Sequence, residues 1–176
     1  VGPASVVARD PSAWPTSLWL DRGSADGVRE GMTAVCGYQL LGWIDRVAER
    51  RCRVRLANDP AFLAICTVVP IHRDLALLDA TAPPETEEDL QGVLRGGRRP
   101  DRCILDWVGV DQAVTPGDLV LTTGLDGRFP KGLEAGRILA VRPDALHHRI
   151  EVAPAVRPDA IESAQILPLA GEGTPR

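Results

Sequence analysis

The sequence is poor in aromatic residues, in lysine and in long apolar runs. Phe, Trp and Tyr make up 4% of the 176 residues, and Lys131 is the single lysine among 20 basic residues. With 24 acidic residues, the formal net charge is −4. Proteins that bind duplex nucleic acid carry a basic surface, so this balance argues against such a partner. No segment approaches the ~18–20 consecutive apolar residues of a membrane-spanning helix.

Metal-binding and disulfide signals are also weak. The sequence has no C-x-x-C pair, and its histidines do not stand at zinc-site spacing. We predict no metal site and no cofactor. Isolated cysteines are usually small buried hydrophobic residues, which favours free core thiols, although an even number leaves disulfides open. Adjacent histidines favour a solvated turn. The cysteines are Cys36, Cys52, Cys66 and Cys103, and the histidines are His72 and the adjacent pair His147 and His148.

Short apolar runs rich in β-branched residues dominate the chain, and Gly, Pro, Asn or Asp interrupts them every 8–12 residues. This spacing is typical of many short strands. The alternation is clearest in Arg53-Val-Arg-Leu56 and Arg149-Ile-Glu-Val152, where every second side chain is apolar. We predict twelve strands, at 5–8, 17–21, 33–36, 41–47, 53–57, 64–70, 91–94, 103–108, 119–122, 136–142, 149–152 and 164–168.

An internal repeat organises these strands. Gly31-Met-Thr-Ala-Val35 is similar to Gly117-Asp-Leu-Val-Leu121, and Gly42-Trp-Ile-Asp-Arg-Val47 is similar to Gly136-Arg-Ile-Leu-Ala-Val141. Closure of such strands into barrels removes exposed sheet edges. The repeat therefore predicts an all-β fold of two small six-stranded β-barrels in tandem, joined by irregular loops. The predicted domains are 1–70 and 71–169, with strand exchange possible, followed by a mobile tail at 170–176. One larger sandwich is the alternative.

A double barrel also raises the possibility of a divergent hydrolase. Nucleophilic catalysis needs a nucleophile, a base and an orienting acid in one place. No serine stands in a G-x-S-x-G setting, and His72 and Asp74 form the only His–Asp neighbour pair. Nothing in the sequence supports a dyad of Cys103 with His72. A nucleic-acid module of the OB type is a further alternative, but dispersed aromatics and the acidic charge count against it.

The loop Thr123-Gly-Leu-Asp-Gly-Arg-Phe-Pro-Lys-Gly132 does not match a phosphate-binding loop, because Lys131 precedes its glycine. Phe129 beside Pro130 either fills the end of a barrel or contacts a partner. Exposed tryptophans near the start of the chain would mark an interface. Our candidate partner contacts are Trp14, Trp19, Arg128, Phe129 and Pro130. We assign Gly27, Gly31, Gly117, Gly124, Gly132 and Gly136 to backbone geometry.

Three segments resemble the MreC family of rod-shape-determining proteins. They are Val7-Ala-Arg-Asp-Pro-Ser-Ala-Trp14 with the following 20–32, Leu41-Gly-Trp-Ile-Asp-Arg-Val47 with 54–60, and the longest, 114–138 with 150–156. The most specific string is Gly117-Asp-Leu-Val, Thr-Gly124, Phe129-Pro-Lys-Gly-Leu133 and Gly136-Arg-Ile138. Asp10, Pro11 and Lys131 belong to these motifs.

The resemblance implies a pair of small barrels and a non-enzymatic scaffold outside the cytoplasmic membrane. It implies partners from the cell-elongation machinery: a peptidoglycan transpeptidase of the penicillin-binding protein 2 type, MreD, RodA and other MreC copies. Family members carry an N-terminal transmembrane helix and a coiled coil before this region. Because the sequence begins at Val1, we interpret it as part of a longer, membrane-anchored protein.

Overall fold

The computed structural model describes residues 2–10, 15–71, 90–97, 99 and 101–169. Over this part of the chain it contains the twelve predicted strands, most of them longer at one or both ends than predicted. They are β1 (Pro3–Arg9), β2 (Ser17–Leu20), β3 (Thr33–Cys36), β4 (Gln39–Val47), β5 (Cys52–Leu56), β6 (Leu63–Val69), β7 (Gln91–Gly96), β8 (Cys103–Gly109), β9 (Leu119–Thr122), β10 (Glu134–Pro143), β11 (His147–Pro154) and β12 (Ser163–Leu167).

The strands close into two rings of six. One ring runs β1, β2, β5, β4, β3, β12 and back to β1. The other runs β6, β7, β8, β11, β10, β9 and back to β6. All pairs within the rings are antiparallel, so the all-β prediction with two six-stranded barrels is confirmed. No helix among the described residues has the length and apolar character to cross a membrane.

The barrels are nested rather than in tandem. The second barrel, β6–β11, is inserted between β5 and β12 of the first. The predicted division at residue 70 therefore misplaces two strands: β6 belongs to the second barrel and β12 to the first. The physical reason is closure. Without β12, the edges of β1 and β3 would be left unpaired, and an unpaired edge exposes backbone hydrogen-bonding groups. The predicted tail at 170–176 lies outside the described residues.

The internal repeat corresponds to one local structure built twice. The amide of Gly31 donates to the carbonyl of Ile44 at 2.8 Å, and the amide of Gly117 donates to that of Ile138, also at 2.8 Å. These glycines have φ of 89° and 100°, in the left-handed region that side chains rarely adopt. The same kind of turn therefore precedes β3 and β9.

A second pair of glycines lets neighbouring strands approach closely. A Cβ added at Gly42 would lie 1.9 Å from the carbonyl oxygen of Arg55, and one added at Gly136 would lie 2.2 Å from that of Ala153. Two residues further along, the register of β4 against β5 and of β10 against β11 shifts at a bulge. Bulges increase strand twist, as a small closed barrel requires.

Each barrel has its own core, and the two cores meet at a packed junction. Val35 and Leu40, from strands of the first barrel, belong to the core of the second. Glu134 on β10 pairs in parallel with Gln39 on β4, and its amide donates to the carbonyl of Tyr38 at 2.9 Å. Packing and backbone pairing thus join the barrels. All four cysteines are free, and three of them are buried.

Candidate partner-binding surfaces

The Arg128-Phe129-Pro130 segment lies against the barrel junction. Phe129 is completely buried, and its ring centroid lies 5.4 Å from that of Phe62. Phe129 therefore fills the core of the second barrel, the first of the two alternatives that the sequence left open. The prediction of an exposed contact at this side chain is wrong, because the loop folds back and turns the ring into the second barrel.

Arg128 connects the two barrels from the outside. Its guanidinium lies 4.3 Å from the ring centroid of Trp43 on β4, close enough for a cation–π contact. The backbone carbonyl of Arg128 accepts a hydrogen bond from Oγ1 of Thr33 at 3.0 Å. The carbonyl of Pro130 accepts from the buried Thr122 hydroxyl. The contacts of Arg128 fix the loop on the first barrel, and the contact of Pro130 fixes it on β9 of the second, so both residues have structural contacts here. Any partner contact by either remains a prediction.

Trp19 lies on the outer side of β2, between two core leucines that face inward. It is half-buried, and the Arg51 guanidinium lies 5.0 Å from its ring centroid. Its role as a partner contact stays a prediction. Trp14 and Pro11 lie outside the described residues. The amide of Asp10 donates to the carbonyl of Ser17 at 3.3 Å, which holds the end of β1 against β2.

The outer wall of the first barrel is strongly ionic next to this tryptophan. The carboxylate of Asp45 accepts from Arg53 at 2.8 and 2.6 Å and from Arg55 at 2.9 Å, and Arg55 also donates to Asp59 at 2.8 Å. The Asp45 side chain is only 4% exposed. Burial by itself raises the pKa of this carboxyl, but the hydrogen bonds and charges of Arg53 and Arg55 outweigh burial and hold the pKa below its ordinary value.

The glycines assigned to backbone geometry behave as the sequence predicts. Gly27, Gly124 and Gly132 have φ of 82°, 82° and 90°, in addition to the Gly31 and Gly117 turns already described. Gly136 acts through close approach to β11 instead. Lys131, in the same loop as Gly132, is exposed.

The described residues bring together no cluster of candidate catalytic or metal-binding groups. The Cys103 thiol is buried and donates to the carbonyl of Ala57 at 3.2 Å, and burial raises its pKa to about 12. A thiol held in its protonated form is a poor nucleophile. His72 and Asp74 lie outside the described residues. No group of three or more His, Cys, Asp or Glu suited to a metal occurs in the described part of the chain.

His147 and His148 lie in β11 and not in a solvated turn as predicted, because the hairpin reverses earlier, at 144–146. Both are half-buried. One ring nitrogen of His148, Nε2, lies 3.2 Å from the carbonyl of Gln112. Strand pairing with β8 thus orders these two side chains.

The outer side of the second barrel is apolar around β6. On the outer side of β6, Leu63 and Val69 are exposed and Ile65 is half-buried, while Thr67 is buried with 7% of its surface exposed. Across the ladders Ile65 faces Val93 of β7, Val69 faces Leu119 of β9, and Thr67 faces Leu121. We call Leu63, Ile65, Val69, Val93, Leu119 and Leu121 the apolar wall, and the charged Arg95 of β7, opposite Leu63, borders it. Leu63 is 54% exposed, and Leu125, in the loop that hydrogen-bonds to Ile65, is 66% exposed. The sequence does not mark this surface, because the apolar residues of β6 do not alternate with polar ones.

Comparison with known proteins identifies the fold. A family model described as "Rod shape-determining protein MreC, barrel core" matches residues 6–168. The chain belongs to the MreC family. This confirms the resemblance seen in the sequence motifs.

Two relatives named "Cell shape-determining protein MreC" illustrate the match. The relative from Cereibacter sphaeroides is 29% identical over 164 residues, which is 89% of this chain and 49% of the relative. The relative from Listeria monocytogenes is 26% identical over 144 residues, which is 81% of this chain and 44% of the relative. The chain thus spans about half the length of these MreC proteins.

Solved structures share the same fold at low sequence identity. The crystal structure of MreC from Pseudomonas aeruginosa has a TM-score of 0.78 at 20% identity, with 94% of this chain and 97% of that chain covered. A structure titled as a complex between penicillin-binding protein 2 and MreC from Helicobacter pylori has a TM-score of 0.65 at 15% identity, with 93% and 94% covered.

Proposed function

We propose that this chain is the barrel region of a non-enzymatic scaffold that maintains cell shape by binding a peptidoglycan transpeptidase of the penicillin-binding protein 2 type. Family membership and the H. pylori complex support the choice of partner. The observation that carries the proposal within this molecule is the apolar wall on β6, β7 and β9. A solvated barrel ordinarily alternates apolar inward and polar outward residues, and this surface does not.

The chemistry of the wall suits a protein partner. Its directly opposed pairs, Ile65 with Val93 and Val69 with Leu119, place aliphatic groups side by side on a rigid sheet. Interface centres are depleted in charged residues and gain most of their binding energy from a few well-packed apolar contacts. The outer surface of the first barrel around β4 and β5 carries Asp45, Arg53 and Arg55 in mutual ion pairs, so it is the less suitable of the two surfaces.

The proposed transpeptidase partner implies where in the cell this chain acts. Peptidoglycan is assembled outside the cytoplasmic membrane, so a scaffold for its synthesis acts on the extracytoplasmic side. Within this proposal, MreD, RodA and other MreC copies are further partners of the assembly. An N-terminal transmembrane helix of the parent protein would hold the barrels near these membrane proteins.

The test is binding of this chain to the extracytoplasmic region of the elongation transpeptidase from the same species, measured by biolayer interferometry. Leu63→Glu places a charge at an exposed position of the apolar wall. We expect it to weaken binding at least about tenfold, which corresponds to about 1.4 kcal/mol.

The matched control is Val7→Glu, because Val7 on β1 of the first barrel is 57% exposed, against 54% for Leu63. We expect Val7→Glu to bind like the unmodified chain. Equal affinity for the two variants would remove the wall from the proposal. Failure of the unmodified chain to bind the transpeptidase, with its circular dichroism intact, would contradict the proposed partner.

A further inference from the structure

Trp107 lies at a bulge in the second barrel. Between His148 and Ile150 the partner on β8 moves from Val108 to Leu105, so β8 carries one residue more than β11 over this stretch. Trp107 has a φ of 76°, and no other non-glycine residue in the described part of the chain has a positive φ. In bulges a residue with left-handed geometry is usually glycine. A side chain there costs roughly 1–2 kcal/mol, so closing the barrel does not by itself call for tryptophan.

The bulge turns the indole out of the barrel wall. Trp107 is 65% exposed, whereas Trp19 and Trp43 are half-buried. The His147 ring meets it edge-on, with ring centroids 5.3 Å apart and an interplanar angle of 68°. This contact holds the orientation of the indole while leaving most of its surface open. The result is a fixed aromatic platform.

The indole forms one side of an open groove of about 400 Å³, within the range of small-ligand sites. Asp106, Asp144, His147 and Arg149 contribute polar groups to its lining. Asp106 is paired with Arg95, whose Nε lies 2.6 Å from its carboxylate. Asp144 and Arg149 bring one opposite charge each, and with Arg95 counted beside Asp106 the formal charges of these four residues cancel. His148 also lines the groove. Its Nδ1 atom is buried and has no hydrogen-bond partner among the described residues.

This groove is remote from the barrel junction. On β10, Glu134 pairs with the first barrel, and Pro143 pairs with His148 beside the groove. The nine-residue separation along an extended strand corresponds to roughly 30 Å at about 3.3 Å per residue. A ligand in the groove would therefore not touch the Arg128 loop or the interface between the barrels.

We propose that the groove binds a neutral sugar ring of an oligosaccharide, stacked on the indole of Trp107. The C–H face of a pyranose is apolar and carries partial positive charge, which complements the electron-rich face of an aromatic ring. Its hydroxyl groups need both acceptors and donors, and Asp144 and Arg149 offer one of each kind. A groove without net charge has no preference for an anionic or cationic ligand. A protein partner is less suitable, because charged groups surround the single aromatic residue.

The test is a titration followed by ¹⁵N NMR of the indole N–H groups, with the trimer of N-acetylglucosamine as the probe. The Trp107 signal is assigned by its loss in Trp107→Phe. We expect a saturable shift of that signal with a Kd on the order of 1 mM, as suits a single stacked sugar with few polar contacts. Trp107→Ala should weaken binding at least about tenfold, measured by calorimetry, and Trp107→Phe should retain most of it.

The matched control is Trp19→Ala, which removes an outward tryptophan from the equivalent strand of the first barrel and should leave sugar binding unchanged. Absence of a saturable Trp107 shift would overturn the proposal, as would equal binding by Trp107→Ala. Loss of transpeptidase binding in Trp107→Ala, together with no sugar binding, would assign the indole to a protein interface and also overturn it.

Discussion

The two barrels close through the same cycle of strand pairs, and they differ most on their outer surfaces. In the cycle β12 has the place of β6, β1 that of β7, and β2 that of β8. The glycine turns and the glycine-mediated close approaches occur at equivalent points in both. Yet Trp19, on β2, stays in register opposite Arg53, while Trp107, on β8, lies at a bulge and is exposed. Closure therefore constrains the backbone and leaves the outer side chains free to diverge.

The outer walls also differ in charge from strand to strand. Around β5 the first barrel carries a network of two arginines and two aspartates, and on the equivalent strand of the second barrel, β11, Glu151 pairs with Arg102 and Arg142. Around β6, by contrast, the second barrel carries mostly aliphatic side chains. Ion pairs at a surface contribute little to association unless a partner complements them. An aliphatic surface gains from any partner that covers it. Within the proposed function, partner binding therefore belongs to the β6 surface of the second barrel.

The largest expected effect distinguishes the two cores. Phe62 and Phe129 pack together in the second barrel, whereas the buried cluster of the first contains no aromatic side chain among the described residues. Phe129→Ala should lower the free energy of unfolding by about 4 kcal/mol, because it opens a cavity in a packed core. Urea denaturation measures this change. Leu125→Ala, in the same loop but 66% exposed, should change stability by less than about 0.5 kcal/mol. An equal effect of both would contradict the burial of Phe129.

The next largest effect tests whether both barrels depend on a glycine where two strands approach closely. Gly42→Ala and Gly136→Ala each place a Cβ within 2.2 Å of a backbone carbonyl oxygen on the adjacent strand. Because backbone on both sides must move, we expect each to cost about 3 kcal/mol, at the upper end for overpacking. Thermal and urea unfolding would show it. Gly2→Ala is the control, since nothing lies within 4 Å of its added Cβ. A loss in one barrel only would mean that the two closures are not equivalent.

The sequence predicts the strands, the repeat and the closed rings, because alternation, turn residues and glycine spacing are local signals. It does not predict which strand closes which ring, since β12 and β6 both read as short apolar strands and only three-dimensional closure distinguishes them. The burial of Phe129 depends on how its loop folds against Trp43 and Phe62, about ninety and seventy residues away in the sequence. Nothing local in the sequence marks Trp107, because a bulge leaves no signature when its left-handed position holds a residue other than glycine.

A smaller effect concerns the ionic wall of the first barrel. Asp45→Asn removes the charge that Arg53 and Arg55 share, and we expect it to cost about 2 kcal/mol at pH 7, as for a hydrogen-bonded charged group. The pKa of Asp45 is lowered in the folded state, so its contribution is present above the unfolded pKa of about 3.9 and is lost as pH falls through the folded pKa. Urea unfolding at pH 7 and near pH 3 should therefore show the two proteins converging in acid.

The control for this prediction is Asp159→Asn, which removes an exposed partner of Arg157. Solvated pairs of this kind contribute little, so no measurable change is expected at either pH. A constant difference between Asp45→Asn and the unmodified chain from pH 7 to pH 3 would mean that packing, and not charge, accounts for the role of Asp45.

The smallest effect compares the two tryptophans directly and predicts a difference in sign. At Trp107, with φ of 76°, glycine adopts the backbone without strain, so Trp107→Gly should be more stable than Trp107→Ala by about 1 kcal/mol. At Trp19, in regular strand geometry, alanine should be the more stable replacement by about 0.5–1 kcal/mol, because glycine loses more backbone entropy on folding. Urea unfolding of the four variants measures both differences. If the glycine variant differs from the alanine variant in the same direction at both positions, the left-handed backbone at Trp107 is contradicted. The inference that the fold accepts a backbone cost in order to expose this indole would then fail as well.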